Sequence, residues 1–306
     1  MTSEAPLATR QIKFLGKDRT IAGISAEDPY FSGLHDDYEW PFKHFCRRYI
    51  REGYNCVDIG ANIGLMSMYI SEFCRPGRVV SAEPNRRVFS ALQRNLATNG
   101  VHNVTPFNVA LNERDGDIRF QENSAYGRVD ERGDAVIEGV TFSTLLQRAG
   151  LDRVDFVKID VEGFEPVVLR SALDQLKIHK PLIFMEFNTW ALLSGTRTEP
   201  LGFMEWILNT FAMVHVVQPD SPDLLRRVTI DDVESFIEDN IFKHGSLNDL
   251  VITDDPERMA YSSAYLDARF NELQLENTFL KNERNSSPWN QAKWMVEKAA
   301  ARLKKP

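Results

Sequence analysis

The stretch Val57-Asp58-Ile59-Gly60-Ala61-Asn62-Ile63-Gly64, running into Leu65-Met66-Ser67-Met68-Tyr69-Ile70, decides how this chain is read. A short apolar run ends in a carboxylate and glycines let the backbone turn without a Cβ in the way. Leu65, Met68 and Tyr69 then recur at helical spacing. The pattern predicts a strand, a ligand loop and a helix. Such a loop holds a nucleotide-like molecule against bare backbone at a helix start, where free N–H groups point outward.

The wording of the loop narrows the ligand. A nicotinamide fingerprint needs G-x-G-x-x-G, but Asn62 stands where the middle glycine would be, and Asp58 before the turn would repel a diphosphate. Twenty-five residues after Asp58, a second strand (Arg78 to Ala82) ends at Glu83-Pro84, where an acid in a βαβ unit reaches a ribose. Two carboxylates and no basic residue in the loop favour a cationic or zwitterionic nucleoside. S-adenosylmethionine has a positive amino group and sulfonium and carries no phosphate.

The 306 residues suit one catalytic domain with additions. A net charge of −8 and a pI near 5.4 argue against nucleic acid as a partner, since phosphate neutralisation needs concentrated Lys and Arg. Cys46, Cys56 and Cys74 lack metal spacing and read as buried thiols in a reducing compartment. Met1 to Arg10 holds no apolar run and no later stretch reaches bilayer length, so the expected location is the cytoplasm.

Strands are expected at Gln11–Leu15, Val104–Leu111, Val154–Asp160, Pro181–Phe187, Ala212–Val217 and Asp249–Thr253, besides the two above. Helices are expected at Leu65–Phe73, Asn85–Asn99, Thr141–Ala149, Pro166–Leu176 and Phe203–Asn209, with a hairpin or flap between Asp117 and Asp134. The alternation predicts an α/β fold with a mostly parallel, doubly wound sheet, whose ligands lie beyond the carboxyl ends of the strands. Asp58, Glu83, Asp160 and Glu186 all fall at such ends. Lys158 shares a strand face with Asp160 and is expected to pair with a carboxylate such as Glu186.

Between Tyr30 and Phe45, six aromatic residues (Tyr30, Phe31, Tyr38, Trp40, Phe42, Phe45) are interleaved with His35, Asp36, Asp37 and Glu39. Rings with acidic acceptors make a sugar-binding wall; the same residues also suit an amphipathic helix docked on the sheet. Three regions follow: a cap or lid over 1–45, a cofactor-binding domain over 46–255 and a helical tail over 256–306. In the tail, Met259, Leu266, Leu273 and Leu280 recur every seven residues, with Phe270 and Asn277 between them. Beyond Pro288, Trp289, Ala292, Val296, Ala299 and Leu303 share a face beside Lys293, Lys298, Arg302, Lys304 and Lys305. The tail therefore suits self-association, packing on its own domain, or an acidic partner or membrane surface, which would place the chain at the inner face of a membrane.

At Val57 to Ser67 (VDIGANIGLMS), Ser81 to Asn85 (SAEPN), Asn108 to Asn112 (NVALN) and Phe156 to Glu165 (FVKIDVEGFE), the chain resembles the FkbM family of S-adenosylmethionine-dependent methyltransferases. The resemblance spans roughly Glu39 to Thr253. It implies a Rossmann-like class I methyltransferase fold with a final antiparallel strand, and O-methylation of a carbohydrate, polyketide or related hydroxyl. By position, Asp58, Gly60, Ala61, Asn62 and Gly64 would line the methionine end of the cofactor and Glu83, beside Pro84, would take the ribose hydroxyls. Asn108, Val109 and Ala110 would lie beside the adenine, and Asp160 would face the reacting centre.

A sugar hydroxyl is a poor nucleophile, so a general base is expected: Asp160 first, Glu162 second, His35 from the lid as a third candidate. Asp160 could instead serve only the cofactor, and Glu162 could cap the following helix. Asp160, Glu186 and Asn188 are oxygen ligands of the kind that hold magnesium, a metal-assisted variant that is kept but not favoured. A nicotinamide oxidoreductase and a non-catalytic cofactor-binding scaffold are the competing readings.

Overall fold

The computed structural model describes residues 7–274, apart from 15, 123–126, 219, 220, 263, 269 and 273. One compact unit runs from Met1 to Ala260, and a second begins at Tyr261.

The chain opens with an antiparallel hairpin, β1 (Ala8–Phe14) and β2 (Lys17–Gly23), so the strand expected near Gln11 is one arm of a pair. Alternation carries Ile12, Phe14 and Ile21 into the core. Helix α1 (Pro29–Gly33) starts on Asp28, whose carboxylate accepts from Phe31 N at 2.9 Å. Helix α2 (Trp40–Tyr49) buries Phe42, Phe45, Cys46 and Tyr49, with the Phe42 ring 4.9 Å from Phe184 and Phe45 5.9 Å from Phe156. That helix is the docked element expected of the aromatic segment.

The βα alternation follows in order: β3 (Cys56–Ile59), α3 (Leu65–Cys74), β4 (Val79–Ala82), α4 (Arg86–Thr98) and β5 (Val104–Phe107). A second sheet is built from β6 (Ala110–Leu111), β7 (Gly116–Gln121), β8 (Arg128–Val129) and β9 (Ala135–Val140), in the order β6-β9-β7-β8. The single strand expected over Val104–Leu111 is thus two strands in two sheets. The expected flap is a sheet with its own small core of Ala110, Phe120 and Ile137.

Helix α5 (Phe142–Ala149), capped by Thr141, leads to β10 (Phe156–Ile159). The expected helix over Pro166–Leu176 is broken at Ala172 into α6 (Glu165–Ser171) and α7 (Leu173–His179). Then come β11 (Leu182–Asn188), α8 (Thr189–Ser194), α9 (Pro200–Thr210), β12 (Met213–Gln218), β13 (Ser221–Arg227), α10 (Val233–Lys243) and β14 (Leu247–Thr253). Between the strands expected at Ala212–Val217 and Asp249–Thr253, the structure adds β13 and α10.

The main sheet has the order β13-β12-β14-β11-β10-β3-β4-β5. Strands β11, β10, β3, β4 and β5 run parallel, while β14 is antiparallel to both β11 and β12, as the resemblance implied. From β3 the chain winds first to β4 and β5 and later to β10 and β11 on the other side. The order therefore reverses between β3 and β10, where such sheets bind ligands. Alternate residues feed two cores: Val57, Ile59, Val157 and Ile159 face one, Cys56 and Phe156 the other.

Met259, read as the start of the heptads, lies in a short turn of 3-10 helix (Pro256–Met259) and packs on the core of the first unit. In the second unit the backbone is helical at 264–268 and 270–272. Leu273, Asn277, Leu280 and the basic face from Trp289 to Lys305 lie outside the described residues. Among the described residues no helix is long and apolar enough to cross a membrane.

Candidate active site

A cavity of about 250 Å³ opens at the carboxyl ends of β3, β4, β10 and β11. Gly60 (φ 81°) forms its floor, and a Cβ there would stand 1.7 Å from the carbonyl oxygen of Asp160, so only glycine lets the two strand ends meet. Asn62 continues the turn in the left-handed region (φ 52°), a conformation asparagine tolerates.

Glu83 is held from two sides. Its oxygens accept from Asn62 N at 2.9 Å and Asn85 N at 2.8 Å. Burial still pushes its carboxyl up to about 7, against the pull of those hydrogen bonds. Asn85 turns its side chain to Arg87 N and Val88 N and caps α4. Asn108 donates to the carbonyls of Glu83 (2.8 Å) and Pro84 (2.9 Å), securing that corner from behind; Val109, Ala110, Leu111, Phe120 and Val129 supply the apolar wall.

Of the residues expected around the cofactor, Gly60, Ala61, Asn62, Glu83, Pro84, Val109, Ala110 and Asp160 line the cavity; Asp58, Gly64 and Asn108 stand behind it. Asp58 is fully buried beneath the loop. Its Oδ2 accepts from Ser67 Oγ at 2.5 Å, Ser67 meets Ser81 Oγ at 2.7 Å, and Oδ1 has no partner among the described residues. Burial raises its pKa, with Lys158 and the Ser67 bond opposing.

The other half of the cavity is lined by Tyr30, Tyr38, Glu39, Lys158, Asp160, Glu162, Glu186 and Leu247. Tyr30 and Tyr38 meet edge to face at 5.4 Å, so this part of the aromatic segment lines the cavity while Phe42 and Phe45 belong to the docked helix. Lys158 Nζ lies 2.7 Å from Asp160 Oδ2, so its partner is Asp160 and not Glu186. The turn from Asp160 to Glu165 is tied by Glu165, whose Oε1 accepts from Val161 N at 3.0 Å and Gly163 N at 3.4 Å. Gly163 (φ 92°) is needed because a Cβ would meet the Ala191 carbonyl oxygen at 2.2 Å.

Glu162, also left-handed (φ 54°), does not cap α6; its side chain is turned into the cavity with no hydrogen bond or ion pair to the described residues. Burial, together with the charges of Asp160 and Glu165, pushes it up to about 7. His35 is exposed and outside the lining, its ring 6.2 Å from that of Tyr38. Asn188 accepts from Ala191 N at 3.0 Å and caps α8, and among the described residues no three His, Cys, Asp or Glu side chains are placed to hold a metal.

Sequence reading missed Asp249, which is paired opposite Glu186, and Arg128 and Phe120 on the second sheet. The available signal for Asp249 was an acid inside the apolar run Leu247–Thr253.

The reversed strand order, the glycine turn and an acid at the end of the neighbouring strand define an α/β protein with its cavity at the point where the sheet order reverses. The methyltransferase FkbM domain matches residues 58–239, more than half of the chain, and the chain belongs to that family. It is 29% identical over 124 residues to hexuronic acid methyltransferase AglP of Haloferax volcanii, covering 39% of this chain and 50% of that one. It is also 29% identical over 214 residues to methyltransferase sdnD of Sordaria araneosa, covering 54% of this chain and 81% of that one. The first match spans about half the length of AglP. Among solved structures, the FkbM methyltransferase of Methylobacillus flagellatus aligns with 18% identity and a TM-score of 0.42, over 65% of this chain and 43% of that chain.

Proposed function

We propose that the chain binds S-adenosylmethionine and methylates a hydroxyl of a sugar or glycan. The observation that carries this reading is one cavity with Glu83 held by two backbone N–H groups in one half and Glu162, unpaired among the described residues, in the other. The donor set fits the cofactor: Glu83 retains lone pairs for ribose hydroxyls, Val109, Ala110 and Phe120 offer an apolar slot for a base, and acids outnumber cations where a sulfonium would lie. When bound, the cofactor supplies an electrophilic methyl carbon on a good leaving group.

The chain's own work is alignment and proton transfer. Tyr30 and Tyr38 cover the C–H faces of a sugar, and Glu39 and Glu186 accept from its hydroxyls. Glu162 takes the proton of the attacking hydroxyl as the oxygen bonds to carbon. Its elevated pKa suits a base working near neutrality, whereas Asp160 is neutralised by Lys158 and positions the turn. Residues 1–45 act as the cap over this half, and the tail from Tyr261 serves association or surface contact. The sugar acceptor is supported by the name of AglP, which describes that protein's hexuronic acid substrate.

Calorimetry with S-adenosylhomocysteine and NAD, followed by labelled-methyl turnover on a glycan panel, tests the reading. Binding of S-adenosylhomocysteine and label on a glycan hydroxyl are expected; binding of NAD alone would overturn it.

A further inference from the structure

Asp160 and Glu186 line the cavity at the ends of β10 and β11, and Asp249 on β14 stands beside Glu186 without lining it. Glu186 and Asp249 are direct partners in the antiparallel β11–β14 pair, and Asp160 stands one step beyond Ile159, which pairs with Met185. Like charges directly opposite in an antiparallel ladder lower stability, where an apolar or opposite pair would add to it. Glu186 Oε2 is buried and has no partner among the described residues. Around Glu186 stand the charges of Asp160, Glu165, Glu162 and Asp249; Asp249 in turn faces Glu39, Asp160 and Lys158. Burial and this company raise Glu186 and push Asp249 up to about 8.

The cations nearby are already engaged. Lys158 is paired with Asp160 at 2.7 Å, Lys43 donates to the Asp36 carbonyl at 2.9 Å, and Arg128 lies on the second sheet 3.7 Å from Asp130. Lys158 also serves Asp58, so the acids of the β3–β10 junction are balanced from within the chain. Glu186 and Asp249 are left over, and the backbone brings them together at the cost of their repulsion.

We propose that the acceptor carries an ammonium group, held by Glu186 with Asp249 paired beside it, next to the hydroxyl that faces Glu162: an amino sugar or a comparable aminopolyol. This rests on the methyltransferase reading above. An ammonium has three donors and no acceptor, which suits an orphaned carboxyl oxygen, and its charge draws the neighbouring acids to their ionised form. A neutral sugar can hydrogen-bond to these groups but supplies no charge to ionise them, and a uronic acid adds a negative charge to an acidic cavity.

The test uses the full chain, with S-adenosylhomocysteine titrated first and then held saturating at pH 7.5. Methyl glycosides of glucosamine, glucose and glucuronic acid are titrated next by calorimetry. The amine is expected to bind at least about tenfold more tightly than the neutral glycoside, the scale of a hydrogen bond to a charged group, and the uronide not measurably. Glu186→Gln and Asp249→Asn, which keep shape, should each reduce that preference and leave S-adenosylhomocysteine affinity within about twofold. Equal binding of amine and neutral glycosides, tighter binding of the uronide, no binding of the amine, or a preference intact in both variants would overturn the proposal. Failure of S-adenosylhomocysteine itself to bind would instead overturn the methyltransferase reading.

Discussion

Lys158 Nζ and Asp160 Oδ2 are 2.7 Å apart, with the lysine buried and the carboxylate a third exposed to the cavity. Burial pulls the lysine's pKa down, but the charges of Asp160 and Asp58 more than offset this and leave it raised. One ammonium thus serves two acids, one under the glycine loop and one at the end of β10. Lys158→Met should remove about 3–5 kcal/mol of stability, the scale of a broken buried pair. Chemical denaturation checks this, and an unchanged midpoint would mean that the acids find another partner. Asp160→Asn, which keeps shape, should cost less stability and lower turnover less than loss of Glu162.

Glu162→Gln is expected to reduce the rate constant on the order of a hundredfold at saturating cofactor. The wild-type rate should climb with pH through about 7, as the carboxylate forms, and this limb should vanish in the variant. A profile unchanged by the substitution would return the proton to Asp160.

Glu83→Gln and Asp58→Ala should both weaken S-adenosylhomocysteine binding, for different reasons. Glu83 lines the cavity, and its loss as an ionised acceptor should cost about tenfold or more in affinity. Asp58 acts from beneath, through Ser67 and the charge balance of Lys158, so its variant should also unfold more readily. Calorimetry and thermal melts together separate the two effects, and wild-type affinity in both variants would refute the placement of the cofactor.

The parallel half of the fold was legible because β3, β4 and β10 are short apolar runs ending in an acid or turn, and α4 and α5 carry their own caps at Asn85 and Thr141. What failed depends on contacts distant in sequence. Asn108 breaks the strand because its side chain is spent on the carbonyls of Glu83 and Pro84. The partner of Lys158 lay two residues along its own strand, closer than the expected acid on the next one. Asp249 stands beside Glu186 only because β14 inserts antiparallel between β11 and β12, which no local periodicity encodes.

The acids also set a pH dependence of stability. Burial pushes Glu83, Glu162 and Glu165 up to about 7 and Asp249 up to about 8, above the ordinary carboxylate range. Through that window the folded chain holds more protons than the unfolded one, so stability falls as pH rises from about 5 to 8. Ligand-free protein should therefore melt lower at pH 8 than at pH 6. Glu165→Gln, which keeps an acceptor for Val161 N and Gly163 N, should flatten that fall. A melting temperature that rises over the same interval would mean that these carboxylates are ionised at little cost.

The last prediction concerns where the catalytic unit ends. Arg258 Nη2 pairs with the buried Asp155 Oδ1 at 2.9 Å, and Arg51 donates to the carbonyls of Glu257 (2.8 Å) and Ala260 (3.0 Å). Asp254 accepts from Lys177 Nζ and from Ala212 N, both at 2.7 Å. A chain cut after Ala260 keeps all of these bonds, and one cut after Thr253 loses them and leaves Asp155 with Asn55 N at 2.9 Å and the exposed Arg153 at 3.0 Å. The longer truncate is expected to melt within a few degrees of the full chain and to bind S-adenosylhomocysteine normally; the shorter should be destabilised by about 1–3 kcal/mol or more. If the seven-residue recurrence beyond Tyr261 mediates self-association, removal of 261–306 should also lower the mass seen by light scattering. Equal mass for the two chains would refute self-association, and loss of folding in the longer truncate would make the tail part of the catalytic unit.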